Sequence, residues 1–199
     1  MTAFSTRCSP SRGLERLSCR LRAALIAVCT LWLMPAWAGE GATIKSAELI
    51  PGEEWVYLYA DIDVTFPKAL EEALNKGVSL NFMLEFELTR PRWYWLDETV
   101  ASVRQNLRLS YHALTRQYQF SSNQGNRSYA SLAEAREELK HITEWKVLDR
   151  SQLKKGVTYQ GALRLRLDVN QLPKPLQVEA LSSKDWSFNS DWYRFTVTP

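Results

Sequence analysis

Hydrophobic and polar residues alternate almost without interruption in three segments of this 199-residue chain. The segments are 55–66, 78–89 and 157–169, and apolar side chains occupy nearly every second position in each. Alternation with a period of two predicts strands that have one buried face and one solvated face. Such strands are typical of antiparallel sheets, because a parallel sheet covered on both sides has apolar residues on both strand faces.

Two segments show the spacing of an amphipathic helix, with apolar residues three or four positions apart. The first begins after Pro67, a residue suited to a first helical turn, and ends before Gly77. The second begins at Ser131 and extends to Ile142, and Glu134 completes a capping-box pattern at its start. We therefore expect one helix after the first long strand and one in the second half of the chain.

The remaining segments are shorter and are separated by turn-forming residues. Two further strands are predicted between 99 and 122, with a bulge or tight turn at 113–114, where the apolar phase shifts. Residues 123–128 are predicted to form a polar loop, and strand-like segments around 176–181 and 186–197 close the chain. The predicted fold class is α+β: a mainly antiparallel, sandwich-like domain with two helices.

Residues 74–88 and 153–167 resemble each other at an offset of 79 residues. An internal duplication of two β-rich halves would explain the likeness. The alternative is that any glycine turn followed by a strand converges on this pattern. The outward faces differ, because Glu85 aligns with Arg164. If the two strands are neighbours, these charges form a cross-strand pair that helps to set the register; if not, they are solvated.

The first 38 residues predict a cleaved secretory signal peptide. Five arginines and a single acid, Glu15, are followed by an apolar stretch at 23–34 and by small residues at a cleavage site before Gly39. The apolar stretch is shorter than the roughly 20 residues of a membrane-spanning helix. The predicted location is the periplasm, and the alternative is the inner membrane, with an uncleaved N-terminal anchor.

Removal of the signal peptide changes the cysteine content and the net charge of the chain. All three cysteines lie in it, which excludes disulfides, thiolate metal sites and a cysteine nucleophile from residues 39–199. The formal charge falls from +3 to −1, because five of 25 basic residues and one of 22 acidic residues are lost. The basic character of the full chain is therefore no argument for nucleic-acid binding. Residues 39–199 are long enough for a single β-rich domain with its own core.

Residues 88–98 combine arginines and aromatic residues around a proline. The candidate residues for binding a ligand or partner are Arg90, Arg92, Trp93, Tyr94 and Trp95. Aromatic rings beside guanidinium groups stack on a sugar or clamp an anionic or peptide ligand. The alternative is a packed corner, in which the aromatic residues cap the core and cover the arginine stems.

Asp61 and Asp63 form a second, acidic candidate site. Their Asp-x-Asp-x-Thr spacing resembles that of haloacid-dehalogenase phosphatases and places both carboxylates on one strand face. That chemistry uses the end of a buried parallel strand, whereas this strand alternates, so solvated carboxylates are the simpler interpretation. The only histidines are His112 and His141, the latter expected in the last turn of the second helix. No catalytic residue, metal site or cofactor is predicted.

Three sequence blocks resemble a proteobacterial family of exported proteins catalogued as domain of unknown function 4390. The blocks are RWYW at 92–95, SYHALTRQY at 110–118 and LDVNQLP at 167–173. The resemblance extends from about Ala42 to Val197. It implies an exported protein of unassigned activity, often encoded beside a nitrogen-type sensor histidine kinase and an rRNA methyltransferase, and it transfers no catalytic residue.

These observations favour a periplasmic, non-catalytic binding or interaction module that is accessory to a membrane sensor kinase. Its expected partner is an envelope ligand or a protein such as the kinase ectodomain, with no nucleic acid and no stable transmembrane anchor after signal cleavage. Two alternatives stay open. One is an envelope hydrolase that acts on a glycan or peptide through paired carboxylates, and the other is a purely structural envelope protein.

Overall fold

The computed structural model describes residues 41–94 and 96–199, so the predicted signal peptide lies outside the described residues. This part of the chain contains nine strands and three α-helices. In chain order they are β1 (Gly41–Pro51), β2 (Trp55–Thr65), α1 (Lys68–Asn75), β3 (Leu80–Arg90), β4 (Glu98–His112), β5 (Gln117–Ser122), β6 (Gly125–Tyr129), α2 (Leu132–Lys140), β7 (His141–Asp149), β8 (Tyr159–Leu167), α3 (Lys174–Ser182) and β9 (Tyr193–Val197).

The strands form two antiparallel sheets. The smaller sheet has the order β1-β2-β7, and the larger has the order β6-β5-β4-β3-β8-β9. Each neighbouring pair of strands runs antiparallel. The predicted α+β, mainly antiparallel and sandwich-like fold is therefore confirmed.

The apolar faces of the two sheets meet in one shared core. Phe86 of the larger sheet lies edge-on to Trp145 of the smaller sheet, with ring centroids 6.3 Å apart. Phe66, just after β2, stacks on Phe82 at 5.7 Å. All four side chains are buried, and burial of a large apolar side chain contributes about 2–3 kcal/mol. The apolar residues of the alternating segments thus form the contact between the two sheets.

The two predicted helices are present and use the expected residues. Leu70, Ala73 and Leu74 are the buried stripe of α1. Ser131 caps α2 by accepting a hydrogen bond from the amide of Glu134 at 3.2 Å. This hydroxyl satisfies one of the amides that a helix leaves unpaired in its first turn.

Two predictions about helices are wrong. The second helix ends at Lys140, and His141 begins β7, where Ile142 is buried as a strand residue. Residues 176–181 belong to a third helix, α3, and not to a strand. Its apolar residues Leu176, Val178 and Ala180 stand two apart, which reads as strand alternation, and none of them is fully buried in α3.

Three strands were not predicted, and each lacks a regular alternation. β6 replaces most of the expected loop at 123–128, and its residues are largely exposed although it pairs with β5. In β1 the register shifts between Ile44 and Ser46. In β7 it shifts twice, and Glu144 has a positive φ of 51°. A bulge inserts an extra residue and reverses the alternation beyond it.

The two similar segments contribute neighbouring strands, β3 and β8. Glu85 lies opposite Arg164 in this pair, as expected for neighbours. Both strands follow a glycine in the left-handed region, Gly77 with φ 87° and Gly156 with φ 74°. The whole strand β7 intervenes between α2 and β8, so the likeness is limited to the glycine turn and the strand after it.

Candidate functional site

The β3–β4 hairpin ends in a loop at 91–97, here called the aromatic tip. Pro91 has no amide hydrogen, so it cannot continue the ladder beyond Arg90. Across the loop, the amide of Arg92 donates to Asp97 Oδ1 at 3.4 Å. The two long strands therefore present a short, closed loop at their end.

Two arginines and one glutamate form the base of the aromatic tip. Arg90 is the cross-strand partner of Glu98 and donates to its carboxylate. Arg92 Nη2 lies 2.5 Å from Glu98 Oε2. The hydrogen bond from Arg92 and the charges of both guanidinium groups hold the pKa of Glu98 below its usual value. Both predicted arginines are thus fixed at the base of the loop by ion pairs.

Three apolar side chains of the aromatic tip are largely exposed. The relative exposure is 94% for Trp93, 65% for Tyr94 and 82% for Leu96. The rings of Trp93 and Tyr94 touch edge to face, with centroids 5.2 Å apart. The packed-corner alternative is therefore wrong for these two residues; Trp95 lies outside the described residues. A cluster of exposed apolar side chains in one short loop is typical of an interaction site.

A depression of about 290 Å³ lies beside the aromatic tip on the outer face of the larger sheet. Asp97 belongs to both the tip and the depression, and the opposite wall includes Gln160, Trp192 and Arg194. The depression offers acidic, amide and guanidinium groups around one indole ring. A polar side chain of a partner would find hydrogen-bond donors and acceptors there.

Asp61 and Asp63 lie on one face of β2, as predicted, but they do not form a joint site. Asp63 pairs with Lys45 at 3.0 Å, whereas Asp61 pairs with Nδ1 of His141 at 2.8 Å. The hydrogen bond from Lys45 lowers the pKa of Asp63, and the hydrogen bond from His141 lowers that of Asp61. Each carboxylate is therefore compensated by a different cation or imidazole and is solvent-exposed.

Ser46, Asp61 and His141 adjoin one another in the order Ser–Asp–His. The Ser46 hydroxyl donates to Asp61 Oδ2 at 3.2 Å, and an open depression of about 350 Å³ lies beside them. On its other side His141 Nε2 faces the carboxylate of Glu137 at 3.8 Å. A catalytic triad needs the histidine between the acid and the hydroxyl, so this arrangement does not activate Ser46.

The structure describes residues 41–94 and 96–199. In these ranges no group of three His, Cys, Asp or Glu side chains is placed to hold a metal ion. In the same ranges no helix has the length and apolar character that crossing a membrane requires. His112 lies at the exposed end of β4, where its Nδ1 is 3.3 Å from the hydroxyl of Thr115.

The family described as domain of unknown function (DUF4390) matches residues 39–196. The chain belongs to the DUF4390 family. This match confirms the resemblance carried by the three sequence blocks, the first of which is part of the aromatic tip. Neither the curated proteins nor the solved structures contain a significant match to the chain.

Leu96 and Ser46 are among the site residues that the sequence of this DUF4390 domain does not predict. Leu96 follows the aromatic run and completes the exposed cluster; an apolar residue just after a proline-initiated turn was the available signal. Ser46 follows the register shift in β1, and no pattern in the sequence reveals which face it joins. The pairing of His141 with Asp61 depends on the register between β2 and β7, which the sequence does not show.

Proposed function

We propose that this protein is an exported, non-catalytic interaction module that contacts the extracytoplasmic domain of a membrane sensor kinase through the aromatic tip. The observation that carries the proposal is the exposure of Trp93, Tyr94 and Leu96 in one short loop. Keeping so much apolar surface in water is unfavourable, and a partner that covers it gains the corresponding free energy.

The composition of the tip and the ion pairs at its base both suit protein recognition. Tryptophan, tyrosine and arginine are the residues that most often dominate the energy of an interface. Here they are carried by two paired strands, and Glu98 holds the arginines at the base. Because these arginines are already held in position, binding that involves them loses less conformational entropy. The depression beside Asp97 supplies a polar rim next to the apolar centre.

Export and the identity of the partner rest on separate arguments. The signal-peptide prediction for residues 1–38 supports export, and the gene neighbourhood implied by the family resemblance supports the sensor kinase. The paired-carboxylate hydrolase has weaker support, because Asp61 and Asp63 have separate partners and Ser46 is not joined to His141. A purely structural role would leave the exposure of the tip without a purpose.

The first experiment places a photo-reactive phenylalanine analogue at position 93 in cells, with position 114 as the matched control. Leu114 has a relative exposure of 91%, close to that of Trp93, and lies in the β4–β5 turn, at the other end of β4 from the aromatic tip. We expect position 93, and not position 114, to cross-link to the sensor kinase. Equal cross-linking from both positions, or none from position 93, would contradict the proposal.

The second experiment measures the affinity of the purified protein for the solubilised kinase ectodomain. Trp93→Ser together with Tyr94→Ser is expected to weaken binding at least 30-fold, which corresponds to the roughly 2 kcal/mol of an interface hot spot. Leu114→Ser should leave the affinity unchanged. If the wild-type protein does not bind the ectodomain, the sensor assignment fails.

A further inference from the structure

The outer face of the larger sheet is basic, although residues 39–199 have a formal charge of −1. Outward-facing positions on β3, β4, β8 and β9 carry five arginines and two glutamates, an excess of three positive charges. We call these positions the basic face, and its charged residues are Glu85, Glu87, Arg104, Arg108, Arg164, Arg166 and Arg194. The charge of the domain is therefore distributed unevenly over its surface.

The centre of the basic face is one buried carboxylate surrounded by three guanidinium groups. Glu85 Oε2 accepts from Arg164 Nε at 3.0 Å and from Arg166 Nε at 3.2 Å, while Oε1 lies 3.3 Å from Arg104 Nε. Burial by itself would raise the pKa of Glu85, but the hydrogen bonds from Arg166 and Arg164 outweigh it and the pKa is lowered. One negative charge compensates one arginine, so two positive charges at the centre stay uncompensated.

These arginines are also held in position. The guanidinium of Arg164 lies over the ring of Trp192, 4.4 Å from its centroid. Arg108 reaches back to the hydroxyl of Ser79 at 3.3 Å. Side chains fixed by such contacts lose less rotamer freedom when they bind an anion. A planar guanidinium also presents paired donors that match the oxygens of a phosphate group.

The distribution of charge distinguishes two kinds of anionic partner. A protein–protein interface usually has an apolar, charge-depleted centre and a polar rim. The basic face has the opposite arrangement, because its charges are central and its other outward residues are mainly amides and hydroxyls. Anionic phospholipid surfaces attract such clusters of basic residues without needing an apolar centre.

We propose that the basic face docks the domain onto the phosphate headgroups of an anionic phospholipid bilayer. Docking through this face leaves the aromatic tip, at the end of the β3–β4 hairpin, available to a protein that is embedded in the same membrane. The basic face shares Glu87 and Arg194 with the depression beside the aromatic tip but contains no residue of the tip itself, and the inference does not depend on the proposed function.

The test measures binding of the protein to vesicles of phosphatidylglycerol mixed with phosphatidylcholine, and to phosphatidylcholine alone. The full chain is expressed in bacteria and the protein is purified in the form in which the cells leave it. We expect binding to the anionic vesicles that weakens as salt is added, because the attraction is screened beyond a Debye length. Each net charge near the surface multiplies partitioning about fivefold.

The decisive variant is Arg104→Gln with Arg108→Gln, which removes two charges from exposed side chains and leaves Arg164 and Arg166 on Glu85. It should reduce partitioning about 25-fold. The matched control, Lys45→Gln with Lys146→Gln, removes two charges from the outer face of the smaller sheet and should have little effect. Thermal unfolding verifies that each variant is folded.

Other outcomes overturn the inference in distinguishable ways. Equal binding of the wild type to neutral and anionic vesicles would overturn it. An equal loss of vesicle binding in the arginine variant and in the lysine variant would overturn it as well. A third contrary result is that Trp93→Ser with Tyr94→Ser abolishes vesicle binding while the arginine variant binds normally. If the wild type binds an acidic protein through Arg104 and Arg108 but no vesicles, the partner is a protein and not a lipid surface.

Discussion

β3 and β8 lie side by side in the larger sheet and share a sequence pattern, yet they perform different tasks. Their inner faces contribute alternate apolar residues to the same core. At the aligned outer positions, however, β3 has Glu85 and β8 has Arg164, and the two side chains form an ion pair across the sheet. The shared pattern therefore builds the core, whereas the charged outer positions, Glu85 on β3 and Arg164 and Arg166 on β8, add cross-strand contacts that help to set the register.

The two strands also differ in the size of one aligned inner side chain and in the loop that follows each strand. Phe82 of β3 stacks on Phe66, while the aligned Gly161 of β8 leaves room for the ring of Phe195 on β9. β3 continues into the exposed aromatic tip, but β8 continues into a short turn capped by Asp168, which accepts from the amide of Asn170 at 3.2 Å. Similar strands thus support one exposed loop and one closed turn.

Glu85→Gln should disrupt the ionic contact between the strands most strongly. We expect the free energy of unfolding to fall by about 3 kcal/mol, because three guanidinium groups lose the carboxylate that they share. Chemical denaturation measures this difference. Glu87→Gln is the control: it removes the same charge from an exposed position on the same strand and should change stability little.

The same substitution makes a prediction about pH. The folded pKa of Glu85 is lowered, so its stabilising effect is complete above the unfolded pKa of about 4.3 and is lost as the pH falls through the folded pKa. The stabilities of the wild type and of Glu85→Gln should therefore converge in acid. A difference that stays constant below pH about 4 would rule out an ionic origin.

Gly161→Ala tests the difference in side-chain size between the aligned positions of β3 and β8. A Cβ atom at this position would lie 2.6 Å from the ring of Phe195, so we expect a loss of about 2 kcal/mol from overpacking. Adding Phe195→Leu should recover part of this loss, and a double-mutant cycle with Phe195→Leu alone measures the coupling. Additive effects of the two substitutions would show that the contact is not the cause.

The smallest effect on stability is expected for substitutions in the exposed aromatic tip, the loop that distinguishes β3 from β8. Trp93→Ser with Tyr94→Ser should change the free energy of unfolding by less than about 0.5 kcal/mol, because both side chains are exposed. Thermal and chemical unfolding of the double variant measure this change. A clear destabilisation would mean that the tip is part of the folded core, and its assignment as an interaction site would then be wrong.

The elements that the sequence predicts are those in which one face meets the core without interruption. β2, β3 and β8 fit this description, and so does α1 with its buried stripe. The bulges of β1 and β7, and the exposure of β6 and α3, remove the periodic signal. In these elements only the pairing with distant strands defines the structure.

The candidate site was predictable in its residues but not in its environment. A proline followed by aromatic residues fits both a packed corner and an exposed tip, because the local sequence does not show what packs against it. Likewise, the partner of Asp61 is His141, 80 residues away, and it is brought there by the register of β2 and β7. Contacts of this kind depend on long-range pairing, which composition and spacing do not encode.

The bulges of β7 also determine how this protein can assemble with others. β7 is an edge of the smaller sheet, and a regular edge would offer its unpaired amides and carbonyls as a template for another chain. The two register shifts and the positive φ of Glu144 twist this edge away from the flat geometry that strand addition requires. Recruitment of a fourth strand along β7 is therefore disfavoured, so a partner that adds a strand to this sheet would have to pair with β1, its other edge.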